Sequence, residues 1–307
     1  MNPHSQLDNI AIRAALEAGK DIMAIYDDPA ADFGIERKAD NSPLTRADKA
    51  AHARIMSFLE PTGIPVLSEE GAHLPYEERR HWRRLWIVDP LDGTKEFIKR
   101  NGEFTVNIAL VENGMPVMGV IYRPTPCRPT PLPLPSGRGA AGALYFGFSL
   151  GEEQGAWRVE DESLLNNPSI TIEDILKSHS AQLLPSSGEG LGVGSPSLTG
   201  RGRGWVCVAS RSHLSPETEA FIEDLRREHP DLELVSSGSS LKICLVAEGR
   251  ADIYPRHAPT MEWDTAAGHA IALAAGCEMI DANTGEPLTY NKPDLHNPWF
   301  IVRRSRV

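Results

Sequence analysis

The chain has 307 residues, of which 41% are hydrophobic and 24% charged, so it can bury the core of one large or two ordinary domains. Its net charge of -11 argues against a basic surface that binds nucleic acid. No apolar run reaches the ~18 residues that a transmembrane helix needs, and the chain lacks a signal-like start. The four cysteines form no Cys-x-x-Cys pair, which favours free thiols in a reducing cytoplasm. Peripheral attachment at the inner face of the cell membrane stays open.

The first part of the chain predicts two helices. From Leu7 to Tyr26 apolar residues recur at helical spacing, which predicts a helix that faces a core. A polar loop then leads into a second helix that runs to about Leu59, with Thr45 as its N-cap. Asp48 lies three residues after Thr45, so a capping arrangement would explain both side chains without any catalysis.

The first functional landmark is an apolar run that ends in two acids. Leu85 to Val88 predicts a buried strand, and Pro90 should end it, because proline lacks an N-H donor and has a fixed φ. Asp89 and Asp92 would repel each other at this strand end unless a cation lay between them. Oxygen ligands of this kind suit Mg²⁺. The alternative interpretation is two ordinary turns, Asp-Pro and Asp-Gly.

Two further features accompany this landmark. Gly93 and Thr94 predict a turn that opens a helix and leaves backbone N-H groups free to approach an anion. Glu69 and Glu70 follow another short apolar segment. Adjacent acids on a surface loop are usually solvated, but two neighbouring strand ends that carry acids would form a shared metal site.

The next segments predict a sheet. Phe104 to Val111 and Val117 to Tyr122 are β-rich runs joined through Glu112-Asn-Gly114, a hairpin signal, so the first half should pack helices on an antiparallel sheet. Two Pro- and Gly-rich tracts near residues 124 to 142 and 184 to 204 predict mobile surface loops. We divide the chain into an N-terminal α+β half, a β continuation with the two tracts, and a C-terminal α/β half: residues 1-123, 124-204 and 205-307.

The C-terminal half begins with a strand from Trp205 to Ala209, and Ser210-Arg-Ser-His213 follows as a loop. Ser215 and Pro216 then predict the start of a helix that ends near Glu228. Gly238 to Ala247 is a loop that enters a helix, with Lys242 as a point charge for phosphate. An ordinary capped helix with an exposed lysine explains the same segment equally well.

The second landmark is the Ala-rich segment from Glu262 to Gly276, which predicts a buried helix. Asp264 lies in its first turn. An aspartate there is most often a cap, but beside Trp263 and ahead of small residues it could equally be a rigidly held ligand. His269, further along the helix, is predicted to be a core histidine.

Three motifs in this order identify a family by resemblance. They are Ser68-Glu-Glu70, Asp89-Pro-Leu-Asp-Gly-Thr94 and Trp263-Asp-Thr-Ala-Ala-Gly268, and the sequence that carries them resembles the lithium-sensitive, magnesium-dependent phosphatases of the inositol monophosphatase superfamily. Within it the chain looks most like the bacterial bisphosphate nucleotidases. That likeness extends to Lys38-Pro43, Lys95-Leu110, Ser210-His213 and Gly238-Lys242, and covers nearly the whole chain except the two tracts.

The resemblance implies an α+β fold, a layered αβαβα sandwich with the site between its two halves. It also implies two or three Mg²⁺ ions held by oxygen donors from three separated segments: Glu69, Asp89, the Leu91 carbonyl, Asp92 and Asp264. Asp48 would support these ligands or hold a weaker ion. The sequence itself gives no signal for oligomeric state.

The implied reaction is metal-assisted hydrolysis of a phosphate ester. Thr94 would orient a water that Glu69 and Asp48 help to deprotonate. The implied substrate is adenosine 3',5'-bisphosphate, cleaved to AMP and phosphate, with 3'-phosphoadenylyl sulfate open as a second substrate. The candidate substrate contacts are Glu69, Leu91, Asp92, Gly93, Thr94, Ser210, Arg211, Ser212, His213, Ser239, Lys242 and Asp264.

Two alternatives share these residues. Inositol monophosphatase or fructose-1,6-bisphosphatase activity would use the same metal chemistry, and the segments 210-213 and 238-242 favour a doubly phosphorylated nucleotide over a small polyol. A non-catalytic phosphate-binding protein could also retain such a pocket. The presence of every expected carboxylate argues for an enzyme.

Overall fold

The structure is a computed structural model, and the residues it describes are 3-30, 32-38, 42-72, 74-126, 142-150, 153-178, 180-184, 204-211 and 214-304. Most of the two Pro- and Gly-rich tracts, and Cys127, lie outside these residues. The described helices are α1 Pro3–Tyr26, α2 Arg46–Leu59, α3 Tyr76–Arg79, α4 Thr94–Ile98, α5 Glu162–Leu165, α6 Ile172–Lys177, α7 Pro216–Glu228, α8 Leu241–Ala247 and α9 Glu262–Ala274. The described strands are β1 Glu36–Arg37, β2 Pro43–Leu44, β3 Val66–Ser68, β4 Arg84–Asp92, β5 Thr105–Glu112, β6 Met115–Arg123, β7 Ala143–Leu150, β8 Glu153–Val159, β9 Ala181–Leu183, β10 Val206–Ser210, β11 Glu233–Ser237, β12 Ile253–Arg256, β13 Cys277–Asp281 and β14 Phe300–Arg304.

The strands form two main sheets. Seven strands pair in sequence order from β3 to β9, antiparallel throughout except for the parallel pair β3 and β4. The second sheet has the order β11-β10-β12-β14-β13. Strands β7 to β9 therefore extend the first sheet, and the strands after residue 205 build the second. The division of the chain at residues 123 and 204 stays a prediction.

Buried side chains arrange these sheets and helices in five layers. Ile12 of α1 lies in one cluster with Trp86 of β4, so α1 and α2 cover one face of the large sheet. Ile271 of α9 shares a second cluster with that sheet's other face and with Val302 of the small sheet. Ile222 of α7 packs with β10 in a third cluster on the far side of the small sheet. The predicted α+β class and αβαβα sandwich are confirmed.

Helix α9 lies in backbone contact with the large sheet. A Cβ atom added to Gly119 of β6 would overlap the carbonyl oxygen of Ala267, and one at Gly147 of β7 would lie 3.0 Å from the Ile271 Cα. Alanine and glycine on both sides permit this close approach, because larger side chains would push helix and sheet apart. The first turn of α9, which carries Asp264, is therefore fixed relative to the large sheet.

The prediction that the first landmark strand ends at Pro90 is wrong. Strand β4 runs from Arg84 to Asp92, and its pairing with β5 shifts register between Asp89 and Asp92. A bulge leaves residues without a pairing partner, so the missing N-H of Pro90 costs no ladder hydrogen bond there. The Leu91 N-H instead donates to Asp89 Oδ1 at 3.0 Å. Both acids consequently belong to one strand.

Other local predictions are confirmed. Thr45 caps α2 in a capping box with Asp48, and Asn113 (φ 49°) and Gly114 (φ 80°) form the tight turn between β5 and β6. Ser215 caps α7. His269 is fully buried, with its Nδ1 3.0 Å from the Tyr290 hydroxyl, as expected of a core histidine.

The remaining general predictions concern thiols and membrane spans. Cys207, Cys244 and Cys277 are free and buried. Burial raises the pKa of Cys207 to about 12 and that of Cys277 to about 11, so neither thiol ionises readily. Within the described part of the chain, no helix has both the length and the apolar character required for a membrane crossing.

Asp8 of α1 allows a stability prediction away from any site. The side chain is 6% exposed, and burial raises its pKa to about 7. A raised carboxyl pKa contributes stability only while the group is protonated, so that contribution is lost as pH rises through about 7. We expect Asp8→Asn to raise the melting temperature at pH 8.5 and to leave it nearly unchanged at pH 4, because the stability from the protonated carboxyl is lost progressively between the unfolded pKa of 3.8 and about 7. Thermal scans at both values test this, and a lower melting temperature at pH 8.5 would contradict it.

Candidate active site

A cavity of about 370 Å³ lies where the two sheets meet α9, and residues from both halves of the chain line it. Most of the predicted site residues are in its wall: Glu69, Asp89, Leu91, Asp92, Gly93, Thr94, Ser210, Ser239, Lys242 and Asp264. The acids come from the end of β3, the end of β4 and the start of α9. Three segments distant in sequence therefore meet at one place.

The raised pKa values of the carboxyl groups in this wall indicate that a positive charge beside them would be favourable. Burial raises the pKa of Asp89 well above its usual range, and the charges of Glu69, Asp92 and Asp264 raise it further. Burial also raises the pKa of Asp264, to about 8, with the charge of Asp92 adding to the effect. Such a set of like charges is costly without a cation, and its oxygen donors fit a hard divalent ion.

The carboxylates of the cavity wall do not surround a common point in this structure. Among the described residues, no three acidic, histidine or cysteine side chains are placed to hold an ion as they stand. Protein donors occupy some of the oxygens instead. Ser240 N and Asn107 Nδ2 donate to Asp92 Oδ2 at 2.5 and 3.3 Å, and Met261 N donates to Asp264 Oδ2 at 2.8 Å. Asp264 is thus both a helix cap and part of the cavity wall, which joins the two interpretations of its role.

Glu69 already has a cationic partner. Lys38 Nζ lies 2.6 Å from Glu69 Oε1 and 2.5 Å from Glu70 Oε1. This ammonium group offsets part of the negative charge at the end of β3, and the two glutamates in turn raise the lysine pKa. Sequence analysis did not predict the contact, because residues far apart in the chain and in different local elements carry no pairing signal.

Asp48 and Thr94 form a hydrogen-bonded pair. Thr45 donates to Asp48 Oδ2 from its N-H at 2.7 Å and from its hydroxyl at 2.5 Å. The other oxygen, Oδ1, accepts from the Thr94 hydroxyl at 3.1 Å, and the Leu91 carbonyl lies 3.2 Å from that hydroxyl. Capping explains one carboxylate oxygen of Asp48, and the second oxygen holds Thr94. Burial raises the pKa of Asp48, so this carboxylate is a stronger base than usual.

Gly93 is the turn between β4 and α4. Its φ of 92° is in the left-handed region, and a Cβ there would lie 2.9 Å from the Glu103 carbonyl oxygen. Both facts require glycine. The predicted turn that opens a helix at Thr94 is confirmed, although α4 has only five residues.

The C-terminal half supplies the opposite wall. Lys242, predicted either to bind phosphate or to be exposed, is 6% exposed and lines the cavity. Its ammonium group donates to the Ser239 carbonyl at 2.5 Å and lies 5.5 Å from the Tyr254 ring centroid. Burial lowers its pKa to about 8, against the charge of Asp92, which raises it.

Three predicted substrate contacts, Arg211, Ser212 and His213, are not among the described residues that line the cavity. The Arg211 guanidinium is directed at Glu103, 2.8 Å away, and at the Ser236 carbonyl, 3.1 Å away. It therefore serves a protein contact in this structure. Ser212 and His213 lie outside the described residues, so their roles stay predictions.

Sequence analysis assigned no individual role to several residues of the cavity wall, although some lie in the segments that it singled out: Ser42, Pro43, Lys95, Glu96, Gly238, Ser240, Ile243, Tyr254, Arg256, Pro259, Thr260, Thr265 and Phe300. Tyr254 and Phe300 come from short strands of the small sheet and are 3% and 1% exposed, so their type and pattern indicate only a core. Arg256 could have been predicted as a site residue, because it is a charged residue at the end of a strand, β12.

Comparisons with known proteins agree with this geometry. The profile of the inositol monophosphatase family matches residues 4–299. The chain is 41% identical to the 3'(2'),5'-bisphosphate nucleotidase CysQ of Escherichia coli O157:H7, over 96% of this chain and 98% of the relative. It is 42% identical to CysQ of Salmonella typhimurium, over 94% and 96% of the two chains.

Solved structures give the same result. The crystal structure of CysQ from Bacteroides thetaiotaomicron, a bacterial member of the inositol monophosphatase family, is similar with a TM-score of 0.81 and 50% identity over 100% of both chains. An inositol monophosphatase from Thermotoga maritima has a TM-score of 0.63 at 20% identity, over 95% of this chain and 89% of that one. The second likeness supports the fold alone.

Proposed function

The chain belongs to the inositol monophosphatase family, and from this premise we propose that it removes the 3'-phosphate of adenosine 3',5'-bisphosphate, giving AMP and phosphate, with the help of bound Mg²⁺. It is a phosphatase of the 3'(2'),5'-bisphosphate nucleotidase type. The observation that carries the proposal is that Asp89, Asp92 and Asp264 line one cavity with Thr94, whose hydroxyl donates to Asp48. The 3'-phosphoadenylyl sulfate analogue is proposed as a second substrate.

Members of this family use metal ions, and the donors in this cavity suit them. We propose that Glu69, Asp89, the Leu91 carbonyl, Asp92 and Asp264 hold two or three Mg²⁺ ions, because buried, mutually repelling carboxylates need divalent charge beside them. When bound, the metal supplies an activated water and neutralises phosphoryl oxygens.

The residues of the chain would orient that water and take its proton. Asp48 Oδ1 accepts the hydrogen of the Thr94 hydroxyl, so a lone pair of the Thr94 oxygen is left to accept a hydrogen bond from the attacking water. Asp48 and Glu69 are the proposed bases. The raised pKa of Asp48 suits this role, because it brings the carboxyl closer to working pH.

Two groups of residues would bind the two phosphates of the substrate. We propose that the Gly93 and Thr94 N-H groups cradle the phosphate that is cleaved. Ser210, Ser239 and Lys242, with Arg211 beside them and Ser212 and His213 by prediction, would hold the nucleotide and its 5'-phosphate. The Lys242 ammonium supplies the positive charge that an anionic ligand needs in a protein of net charge -11.

We also propose a cytoplasmic location for the enzyme. Its three described cysteines are buried free thiols, which is the state that a reducing compartment maintains. The small-molecule nucleotide is the proposed partner in the cavity.

Phosphate release from four compounds tests the proposal: adenosine 3',5'-bisphosphate, 3'-phosphoadenylyl sulfate, inositol 1-phosphate and fructose 1,6-bisphosphate, each with and without Mg²⁺. We expect rapid phosphate release from the two nucleotides only when Mg²⁺ is present. Equal rates with inositol 1-phosphate would refute the substrate assignment. No release from any compound would instead favour a phosphate-binding protein, and full activity in a metal chelator would refute the metal assignment.

A further inference from the structure

Glu103 connects the two halves of the molecule beside the cavity, which its partner Gly238 lines. It follows α4 in the first half, and its side chain is only 15% exposed. Its Oε2 accepts a hydrogen bond from the Gly238 N-H at 2.9 Å, and its Oε1 lies 2.8 Å from Arg211 Nη2. Both partners belong to the second half of the chain.

These contacts join two loops that leave neighbouring strands. Arg211 follows β10 and Gly238 follows β11, and these two strands pair in parallel. The Arg211 N-H lies 3.4 Å from the Ser237 carbonyl, which also ties the loops together at their base. One carboxylate therefore fixes both of the loops that are proposed to hold the nucleotide.

The Glu103 backbone also packs against both the Gly93 turn and the Gly238 loop. A Cβ on Gly93 would lie 2.9 Å from the Glu103 carbonyl oxygen, and a Cβ on Gly238 would lie 3.1 Å from the same atom. Both glycines therefore pack closely against the Glu103 carbonyl oxygen, where a side chain would not fit. Glu103 therefore helps to set the distance between the turn at Gly93 and the loop at Gly238, alongside the hydrogen bond that Ser240 N donates to Asp92 Oδ2.

We infer that Glu103 is a specificity-determining positioning residue, which holds the nucleotide loops at the spacing required by a substrate with two phosphates. The inference rests on the proposed function, since it assigns the cleaved phosphate to the Gly93 turn and the second phosphate to the loops of Arg211 and Gly238. A substrate whose only phosphate is the one that is cleaved, such as inositol 1-phosphate, engages only the Gly93 turn. Glu103 therefore matters for bisphosphates and for ligands that occupy the nucleotide loops.

The test compares Glu103→Gln with the wild type on adenosine 3',5'-bisphosphate and on inositol 1-phosphate. Glutamine keeps an acceptor for the Gly238 N-H but loses the charge that holds Arg211. We expect KM for the bisphosphate to rise about tenfold with little change in kcat, because one charge-assisted hydrogen bond is lost. Any basal release from inositol 1-phosphate should change less than about twofold, since that compound does not reach the nucleotide loops.

A binding measurement makes the outcome independent of turnover. Calorimetric titration with AMP, which carries a 5'-phosphate, should show about tenfold weaker binding to the variant, whereas inorganic phosphate should bind equally to both proteins. If the wild type released no phosphate from the bisphosphate, the proposed function would fail, and the AMP titration would still decide the role of Glu103.

Glu112→Gln is the matched control, because Glu112 pairs with Arg84 at an exposed end of β4 and β5, away from the cavity. It should leave every constant unchanged. Glu103→Asp, which keeps the charge but shortens the side chain, is a second variant and should show a smaller loss of AMP binding than Glu103→Gln. Equal losses for AMP and inorganic phosphate, or unchanged AMP binding in a folded variant, would overturn the inference.

Discussion

We expect Asp92→Asn to lower the turnover of adenosine 3',5'-bisphosphate about a thousandfold, equivalent to about 4 kcal/mol of activation free energy. The amide can still accept a hydrogen bond from Ser240, so the fold should persist. The charge that would hold Mg²⁺ is lost. The metal-free variant should also melt at a higher temperature than the wild type, because burial makes the Asp92 charge costly and that charge repels Asp89 and Asp264.

Phosphate release and thermal scans in a chelator measure the two effects. Asp224→Asn is the matched control, since Asp224 lies on the surface of α7 and pairs with Arg227. It should change neither quantity. Turnover of the Asp92 variant within threefold of the wild type would remove Asp92 from the metal site, and a lower melting temperature would show that its charge is not under repulsion.

Saturating Mg²⁺ should stabilise the protein strongly, and more so at high pH. In the metal-free protein, the raised pKa values of Asp89 and Asp264 mean that folding retains protons which the unfolded chain has released. Stability from these groups is therefore present at low pH and lost as pH rises through about 8, where Asp264 ionises. A divalent ion replaces the protons and restores that stability.

At a hundred times its dissociation constant, Mg²⁺ should contribute about 2.7 kcal/mol, which corresponds to a rise of several degrees in melting temperature. The rise should be large at pH 8.5 and small at pH 5.5, where protons compete for the carboxylates. Thermal scans with Mg²⁺ and with KCl of equal ionic strength separate binding from screening. An equal shift with both salts would contradict specific binding to these acids.

Local patterns in the sequence were sufficient for the longer helices and for strands β4, β5, β6 and β10, but they did not predict β7 to β9 or β11 to β14 individually. The periodicity of α1, the capping box at Thr45 and the Asn113-Gly114 turn each depend on residues within one or two turns of chain. The end of β4 was predicted wrongly because the rule for Pro90 considers one strand, whereas the bulge depends on how β5 pairs with it. The five-layer arrangement came from the family resemblance and not from the patterns.

In the candidate site, too, local motifs predicted some residues, whereas contacts that depend on the tertiary fold could not be predicted. Asp89, Asp92 and Asp264 could be predicted, because acids at the ends of apolar segments are unusual and their motifs are specific. The ion pair of Lys38 with Glu69 and that of Glu103 with Arg211 could not, since each joins elements that meet only in the folded chain. The sequence also left open whether Lys242 is exposed, because its burial depends on its tertiary neighbours.

The glycine contacts beneath α9 bear on how this protein could be altered. Because Gly119 and Gly147 allow the helix to touch the large sheet, a bulkier residue at either position would displace Asp264 from the other acids. A mutation deep in the hydrophobic interior would then lower activity without touching any ligand. Variation in substrate preference is more readily accommodated in the loops that follow β10 and β11, where side chains can change without moving that helix.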